Sequence, residues 1–221
     1  MLLLQLKTCR LLSTNKNLVI HPDKNIIHHC AIVLLAAGSS ARLGKPKQLL
    51  KFNGKSLLQQ MINTAADTGI NPLIVVLGAN AAVLSNEIDT KKALTVFNKH
   101  WQTGMASSIN TGLNFLVEKY PLTDGAIFMM CDQPFVSVGL LKDLIIIQKQ
   151  TGKPIVCSRY QQVLGVPALF YKNIFPELLQ LKGDTGARKI IQQHPDEVAT
   201  VQFLKGNIDI DTIEDYENLL L

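Results

Sequence analysis

Apolar residues along the chain fall into two patterns: short continuous runs, and stretches in which they recur every three or four positions. Continuous runs are typical of parallel strands buried on both faces, whereas the wider spacing is typical of amphipathic helices. Strands are predicted at residues 31–36, 72–78, 94–98, 125–131, 154–158 and 167–171. Helices are predicted at residues 56–68, 81–88, 105–118, 139–150, 184–193 and 212–221.

The two kinds of segment alternate with short connections, which predicts an α/β fold with a doubly wound, mostly parallel sheet. Residues 30–221 form one predicted domain, and residues 1–29 a predicted N-terminal extension of unknown role. Ligands of such sheets bind outside the carboxyl ends of the strands. Gly38 and Asp132 both follow a predicted strand, so the candidate site lies at this edge.

The composition narrows the class of protein. The chain has 221 residues, of which 47% are hydrophobic, and this suffices for one sizeable core. No run of about 18 apolar residues occurs, so no membrane partner is expected. The formal charge of +5 arises largely in residues 1–30, which carry four basic residues against Asp23. Because the remainder is nearly balanced, no nucleic-acid partner is expected.

The first residues are basic, with no acidic side chain before Asp23. Their apolar run is too short and interrupted for a secretory signal, and no small-residue cleavage site follows. An extension or an upstream start codon is favoured over a transit peptide, and a cytoplasmic location is expected. The four cysteines, Cys9, Cys30, Cys131 and Cys157, form no CxxC pair and are predicted to be reduced.

A loop at residues 35–47, reading LAAGSSARLGKPK, follows the first predicted strand. The small side chains of residues 36–40 let a ligand approach the backbone, whose successive N–H groups form an anion-binding concavity. Arg42 and Lys47 add a forked donor and a point charge, which both suit a triphosphate. Taken by itself, the loop could bind phosphate or be an ordinary strand-to-helix connection with solvated basic residues.

The loop lacks the GxxxxGK(S/T) pattern of P-loops and the GxGxxG of dinucleotide-binding domains. It resembles instead the LAAGxSxRMGxPKxLL signature of the MobA-like nucleotidyltransferases, with Leu43 in place of the usual methionine. Five further segments resemble motifs of that family in the same order, so that the resemblance covers residues 31–221. They are WQTGMASSINTGL at 101–113, CDQP at 131–134, GVPALF at 165–170, GDTGAR at 183–188 and DIDTIEDY at 209–216.

Within the family, Ala37 and residues 183–188 resemble the molybdenum cofactor cytidylyltransferase branch, because the guanylyl-transferring branch usually has LAGG in the loop and lacks GDxGAR. The resemblance implies a single-domain, Rossmann-like fold of the nucleotide-diphospho-sugar transferase type. It also implies CTP as donor, the terminal phosphate of molybdopterin or molybdenum cofactor as acceptor, and pyrophosphate as product. Two alternatives stay open: guanylyl transfer from GTP, and a cofactor carrier or insertion chaperone that serves a molybdoenzyme target.

The residues and the resemblance together give three groups of candidate site residues. The expected catalytic residues are Arg42, Lys47 and Asp132. The expected nucleotide-binding residues are Leu35, Ala36, Ala37, Gly38, Arg42, Lys47, Asn80, Ser108 and Asp132. The expected acceptor-binding residues are Gly165, Pro167, Asp184, Gly186 and Arg188.

A magnesium site is expected beside the loop. Asp132 follows a buried strand, and Mg²⁺ is normally bound by one or two carboxylates together with substrate phosphates. The resemblance gives Asp211 as the second metal ligand. Asp209 is its local rival, because alternation places both side chains on the same face of an extended segment.

Several residues near these motifs allow more than one interpretation. The resemblance makes Ser108 a contact to the pyrimidine base, but a serine near a helix start also satisfies backbone donors. Asn80 either borders the base or is only a turn residue after a strand. Trp101 is predicted to be a packing anchor before the Gly104 turn, with a role in shaping the acceptor pocket as the alternative. Val166 stands where relatives commonly carry histidine. The valine has no polar group to offer beside the expected acceptor.

Overall fold

The computed structural model describes residues 26–220, apart from the side chain of Arg42. The strands are β1 (Cys30–Ala36), β2 (Lys51–Phe52), β3 (Lys55–Ser56), β4 (Leu73–Leu77), β5 (Leu94–Phe97), β6 (Gly125–Met130), β7 (Ile155–Tyr160), β8 (Val163–Tyr171) and β9 (Val198–Gln202). The helices are α1 (Leu57–Ala66), α2 (Ala81–Leu84), α3 (Met105–Lys119), α4 (Val138–Thr151), α5 (Phe175–Leu179), α6 (Arg188–Gln193) and α7 (Ile213–Leu220).

Most of the strands form one seven-stranded sheet in the order β5-β4-β1-β6-β8-β7-β9, while β2 and β3 form a separate hairpin. The pairs β1–β4, β1–β6, β4–β5 and β7–β9 are parallel. Strand β8 runs antiparallel to both of its neighbours, β6 and β7. The predicted doubly wound, mostly parallel α/β sheet is therefore confirmed.

Helices cover both faces of the sheet, which explains the continuous apolar runs. On one face, Ile32 and Leu34 of β1 pack with residues of α1 and α4. On the other face, Ala31 and Val33 pack with residues of α3, α5 and α6. Because side chains alternate between the two faces of a strand, β1 needs an apolar residue at every one of these positions.

The order of the strands reverses at β1, and this reversal places the site. The chain passes from β1 to β4 on one side of it and later to β6 on the other. A crevice forms at such a point, outside the carboxyl ends of the strands. Strand β1 ends at Ala36, directly before the loop, and β6 ends at Met130, two residues before Asp132.

Two predicted helices are shorter than expected. The helix predicted at 184–193 begins only at Arg188, because the preceding residues form a loop that packs on the start of α3, where the Ala106 N–H donates to the Gly183 carbonyl at 3.1 Å. The helix predicted at 81–88 ends at Leu84, and a 3₁₀ turn over Ser85–Glu87 replaces its last turn.

Strand β9 and the β2–β3 hairpin were not predicted, because neither has a continuous apolar run. Strand β9 lies at an edge of the sheet, where most of its side chains are only half-buried. Strand β8 begins at Val163, four residues before the predicted start at Pro167, and β7 extends to Tyr160. These added residues pair beyond a register shift between Cys157 and Ser158.

Residues before β1 already belong to the packed structure. Ile27 is 1% exposed, and its N–H donates to Gln148 Oε1 at 3.0 Å. The domain boundary predicted at residue 30 stays a prediction, and residues 1–25, including Cys9, lie outside the described part. Cys30, Cys131 and Cys157 are buried free thiols, and burial raises the pKa of Cys30 and of Cys157 to about 12. Among residues 26–220, no helix has the length and apolarity to cross a membrane.

His194 links α5 to the segment before β9 and gives the fold a pH dependence. Its Nε2 lies 2.7 Å from Glu177 Oε2, and its Nδ1 lies 2.8 Å from Glu197 Oε2. The hydrogen bond to Glu177, opposed by partial burial and supported by Glu197, raises the pKa of His194 above 6.5. This stabilisation is therefore full below the pKa of the unfolded state and is lost as the pH rises through the raised pKa.

We expect the free energy of unfolding to fall by up to about 1 kcal/mol across this window, since the pair is partly exposed. In the His194→Gln variant, the free energy of unfolding is expected to stay level across the same pH window. Urea unfolding across the neutral range measures it, with His100→Gln as the control for an exposed histidine. An unchanged pH profile in His194→Gln would contradict the assignment.

Candidate active site

A cavity of about 610 Å³ opens at the carboxyl ends of β1 and β6. It lies where the strand order reverses, as expected for an α/β sheet. Its lining residues are Leu35, Ala36, Ala37, Gly38, Ser39, Lys47, Gln48, Trp101, Gln102, Gly104, Met105, Ser108, Met130, Cys131, Asp132, Asp184, Asp209 and Asp211. The structure thus brings together segments that lie more than 160 residues apart in the chain.

The loop after β1 is held open by Gln48, a residue that sequence reasoning missed. Gln48 is 1% exposed, and its Nε2 donates to the carbonyls of Ala36 at 3.0 Å and of Gly38 at 2.9 Å. Ser40 adopts φ 56°, and its Oγ accepts the N–H of Lys47 at 3.0 Å. With its carbonyls engaged behind it, the loop exposes Gly38, where nothing lies within 4 Å of the position a Cβ would take.

Lys47 joins two of the predicted metal ligands. Its Nζ lies 2.5 Å from Asp132 Oδ2 and 2.8 Å from Asp211 Oδ1. Burial opposes the charge on Lys47, but the two carboxylates outweigh burial and raise the pKa of Lys47. The ammonium group is thus fixed between two carboxylates at the edge of the cavity.

Asp132 keeps one oxygen without a partner. The residue is 4% exposed, and its Oδ1 is a buried atom with no hydrogen-bond partner in the described part of the chain. An unpaired buried carboxylate oxygen is costly unless a donor or a cation binds it. No group of three or more His, Cys, Asp or Glu residues is arranged to hold a metal within residues 26–220. Two carboxylates plus substrate phosphates suit Mg²⁺ or a similar hard cation.

Asp209 and Asp211 both line the cavity but differ in environment. The Ile210 N–H between them donates to the backbone carbonyl of Asp132 at 3.2 Å, which holds this segment against the end of β6. Burial, aided by the negative charge of Asp132 and opposed by a hydrogen bond from Gln133, raises the pKa of Asp209 to about 6. Both residues keep exposed surface, and Asp211 is the one that pairs with Lys47.

Ser108 lines the cavity as the fourth residue of α3 and is 6% exposed. It does not cap the helix: the residue before α3 is Gly104, which makes no side-chain cap. Ser108 Oγ accepts a hydrogen bond at 3.0 Å from Asn98, a buried residue that sequence reasoning missed. A polar residue directly after β5, at the same edge as the site, was the available signal.

Three further residues from the sequence analysis differ in their relation to the cavity. Asn80 is exposed at the start of α2 with φ 61°, and it is not among the residues that line the cavity. Trp101 lines the cavity and packs where a Cβ on Gly78 would lie, as a packing anchor would. The side chain of Arg42 lies outside the described part of the structure.

The predicted acceptor residues occupy different positions. Asp184 lines the cavity, whereas Arg188 begins α6 with an exposed side chain. The Pro167 carbonyl accepts the hydroxyl of Ser158 at 2.7 Å within the sheet.

The two acceptor-side glycines make room for protein side chains. A Cβ on Gly165 would overlap the Tyr160 hydroxyl, and one on Gly186 would lie 2.7 Å from Met105 Sδ. Both glycines therefore have a packing reason, and their contact with an acceptor stays a prediction.

The sequence matches the model of one known family over residues 32–198, which include the loop, the Ser108 segment and Asp132. That family is the MobA-like NTP transferase domain. The chain belongs to this family. It is accordingly a nucleotidyltransferase, and the MobA-like fold places its loop, Lys47 and Asp132 around one cavity.

Three curated relatives match this chain over most of its length. The chain is 29% identical over 199 residues to nicotine blue oxidoreductase of Paenarthrobacter nicotinovorans, covering 85% of this chain and 95% of the relative. It is 28% identical over 196 residues to the purine catabolism protein PucB of Bacillus subtilis, covering 84% and 93%. It is also 28% identical over 160 residues to molybdenum cofactor guanylyltransferase of Vibrio atlanticus, covering 72% and 77%.

Solved structures share the fold at similar identity. A homologue of Rv0371c from Mycobacterium sp. strain JC1 superposes with a TM-score of 0.76 at 28% identity, covering 86% of this chain and 94% of that one. A manganese complex of Rv0371C from Mycobacterium tuberculosis superposes with a TM-score of 0.71 at 28% identity, covering 87% and 98%. These likenesses confirm the Rossmann-like, single-domain fold.

Two MobA-like motifs meet at Gly104, where the backbone leaves no room for a side chain. A Cβ on Gly104 would overlap the backbone of Gly183, and its φ of 107° is strained for other residues. We expect Gly104→Ala to lower the free energy of unfolding by about 3 kcal/mol or more. Gly183→Ala is the matched comparison: its φ is 62°, but a Cβ there meets nothing within 4 Å, so about 1–2 kcal/mol is expected.

Urea unfolding of both variants measures this difference. Equal losses in the two variants would show that backbone strain, rather than the contact between the two motifs, sets the cost.

Proposed function

We propose that the protein transfers CMP from CTP to the terminal phosphate of molybdopterin or molybdenum cofactor and releases pyrophosphate. The cytidylyl assignment is supported by Ala37 in the loop and by the GDTGAR segment at residues 183–188. The structure supports it further by packing that segment on the start of α3, with Asp184 in the cavity. The relative named for molybdenum cofactor supports the acceptor class.

The single observation that carries the proposal is the group of Lys47, Asp132 and Asp211 beside the open loop. In the proposed reaction, an oxygen of the acceptor phosphate attacks the α-phosphorus of CTP while the bond to the β-phosphate breaks. Because that oxygen is already anionic, no strong general base is needed, and positioning with charge neutralisation provides most of the catalysis. Lys47 and Arg42 both belong to the loop at residues 35–47. Their positive charges would neutralise the leaving pyrophosphate.

Asp132 and Asp211 would hold the divalent cation, which neutralises phosphate charge when bound. The unpaired Asp132 Oδ1 supports this assignment. So does the manganese complex of the similar mycobacterial structure, although Mg²⁺ is the ion we propose.

The decisive test is pyrophosphate release with molybdopterin or molybdenum cofactor and each of CTP, GTP, ATP and UTP in Mg²⁺. CTP is expected to give the highest kcat/KM. A preference for GTP would contradict the cytidylyl assignment and favour guanylyl transfer, the activity named for the Vibrio relative. The same assay with Mn²⁺ shows whether the preference among the triphosphates depends on the metal ion.

Two other outcomes are distinguishable in the same experiment. Tight binding of molybdenum cofactor without pyrophosphate release would favour a carrier or insertion chaperone. Oxidation or reduction of nicotine blue would favour an activity like the one named for the Paenarthrobacter relative. The paired carboxylates around Lys47 favour nucleotidyl transfer over both, since neither binding alone nor a redox reaction needs them.

A further inference from the structure

A hydrogen-bond network after β5 fixes the direction of one hydroxyl in the cavity. Asn98 is 1% exposed, and its Oδ1 accepts the backbone N–H of His100 at 2.9 Å. Its Nδ2 donates to Ser107 Oγ at 2.7 Å and to Ser108 Oγ at 3.0 Å. Because a backbone N–H can only donate, the atom that faces His100 must be the carbonyl oxygen, and this sets the orientation of the whole amide.

The two serines differ in the use of their hydroxyl hydrogens. Ser107 Oγ donates to backbone carbonyls, with Gly104 O at 2.8 Å and His100 O at 2.9 Å. Ser108 Oγ accepts from Asn98, and no acceptor for its own hydrogen is found among residues 26–220. Ser108 also lines the cavity, whereas Ser107 does not. The hydrogen of the Ser108 hydroxyl is therefore available to donate to an acceptor of a bound ligand.

We propose that Asn98 is a positioning residue that makes Ser108 a hydrogen-bond donor to the nucleotide base. This rests on the proposed function only in placing the base of the triphosphate in this cavity. The base atom that faces Ser108 is then an acceptor, either a carbonyl oxygen or an unprotonated ring nitrogen. For cytosine these atoms are O2 and N3, so the exocyclic amine is not the group that faces the Ser108 hydroxyl.

The substitution Asn98→Asp tests the direction of this hydrogen bond with little change of shape. One carboxylate oxygen still accepts from His100, while the other replaces the donor that faces the serines. The Ser108 hydrogen then turns to the carboxylate, and its lone pairs face the acceptor of the base. We expect the Kd for CTP to rise about 10- to 100-fold. Trp101 is the single tryptophan and lines the cavity, so its fluorescence can report binding.

A double-mutant cycle separates this role from a purely structural one. Ser108→Ala removes the donor and is expected to raise the Kd about 5- to 30-fold. In the Ser108→Ala background, Asn98→Asp is expected to raise the Kd for CTP by a factor at least about fivefold smaller than in the unaltered protein. The added negative charge is common to both backgrounds and cancels in the cycle. Ser107→Ala is the matched control, with an unchanged Kd.

Equal losses on Asn98→Asp in both backgrounds, or an unchanged Kd in Ser108→Ala, would overturn the proposal. If Asn98→Asp does not fold, Asn98→Ala replaces it in the cycle, with a loss that again depends on Ser108. The cycle is run with CTP and with GTP, since guanine also carries acceptors. Tighter binding of GTP would contradict the cytidylyl assignment alone, whereas loss of coupling with both triphosphates would contradict the role of Asn98.

Discussion

Pyrophosphate release is expected to fall about 10³-fold in Asp132→Asn, with the fold intact. Asp132 supplies a buried, unpaired oxygen at the end of β6, beside the loop and opposite the open Gly38. An amide of the same shape lacks the charge that a divalent cation requires. The protein should still fold, because Lys47 keeps Asp211 and an amide oxygen as partners, so the free energy of unfolding should change by no more than about 2 kcal/mol.

The measurement pairs the turnover assay with urea unfolding. Asp143→Asn, an exposed position on α4, is the control for loss of one carboxylate and should keep full activity. Full Mg²⁺-dependent turnover in Asp132→Asn would show that the metal assignment is wrong. Comparison of Asp209→Asn with Asp211→Asn then decides the second ligand: a larger loss in Asp209→Asn would favour the rival carboxylate.

The Lys47→Met variant is expected to lose at least about 10²-fold in turnover and yet to bind divalent cations more tightly without nucleotide. The Lys47 ammonium lies within 2.8 Å of both Asp132 and Asp211, where a cation bound to these carboxylates would lie. Its removal leaves the carboxylates without a neighbouring positive charge. We expect the Kd for Mn²⁺ to fall about tenfold or more, since opposite charges at this range interact by several kcal/mol near a surface.

Stability gives an independent reading of the same variant. Without metal, Lys47→Met should be destabilised by about 3 kcal/mol, because a largely buried pair has lost one partner. Mg²⁺ should restore much of this in the variant and little in the unaltered protein. Thermal unfolding with EDTA and with Mg²⁺ measures it, and Lys45→Met, an exposed lysine near the Tyr216 ring, is the control. Weaker Mn²⁺ binding in Lys47→Met would contradict the inference that a bound cation takes the place of the Lys47 ammonium.

Sequence patterns predicted the sheet, and they predicted that the loop and Asp132 lie at its carboxyl edge, for physical reasons. Buried parallel strands such as β1 must be apolar at each position, so they are visible as runs. The loop and Asp132 follow such strands directly, and their place at the carboxyl edge follows from the fold. The second metal ligand could be narrowed to Asp209 or Asp211 by spacing, but only the three-dimensional contact with Lys47 distinguishes their environments.

What stayed hidden depends on side-chain contacts that form only in the folded chain. Gln48 reads as an ordinary polar residue, and only the folded loop shows its amide bound to two carbonyls. In the sequence, Asn98 is only the last residue of a predicted strand, although its side chain fixes Ser107 and Ser108, nine and ten residues later. Gly165 and Gly186 were assigned to the acceptor through motifs, and the structure shows that each also makes room for a side chain of the protein itself.

The contact between Lys47 and Asp211 joins residues 164 positions apart. During synthesis, β1, β4 and β6 emerge and can pair long before Asp211 leaves the ribosome. A nascent chain therefore carries the loop and Asp132 well before it can complete the proposed cation site. A chain that stopped before Asp209 would contain every strand of the described sheet but neither Asp209 nor Asp211.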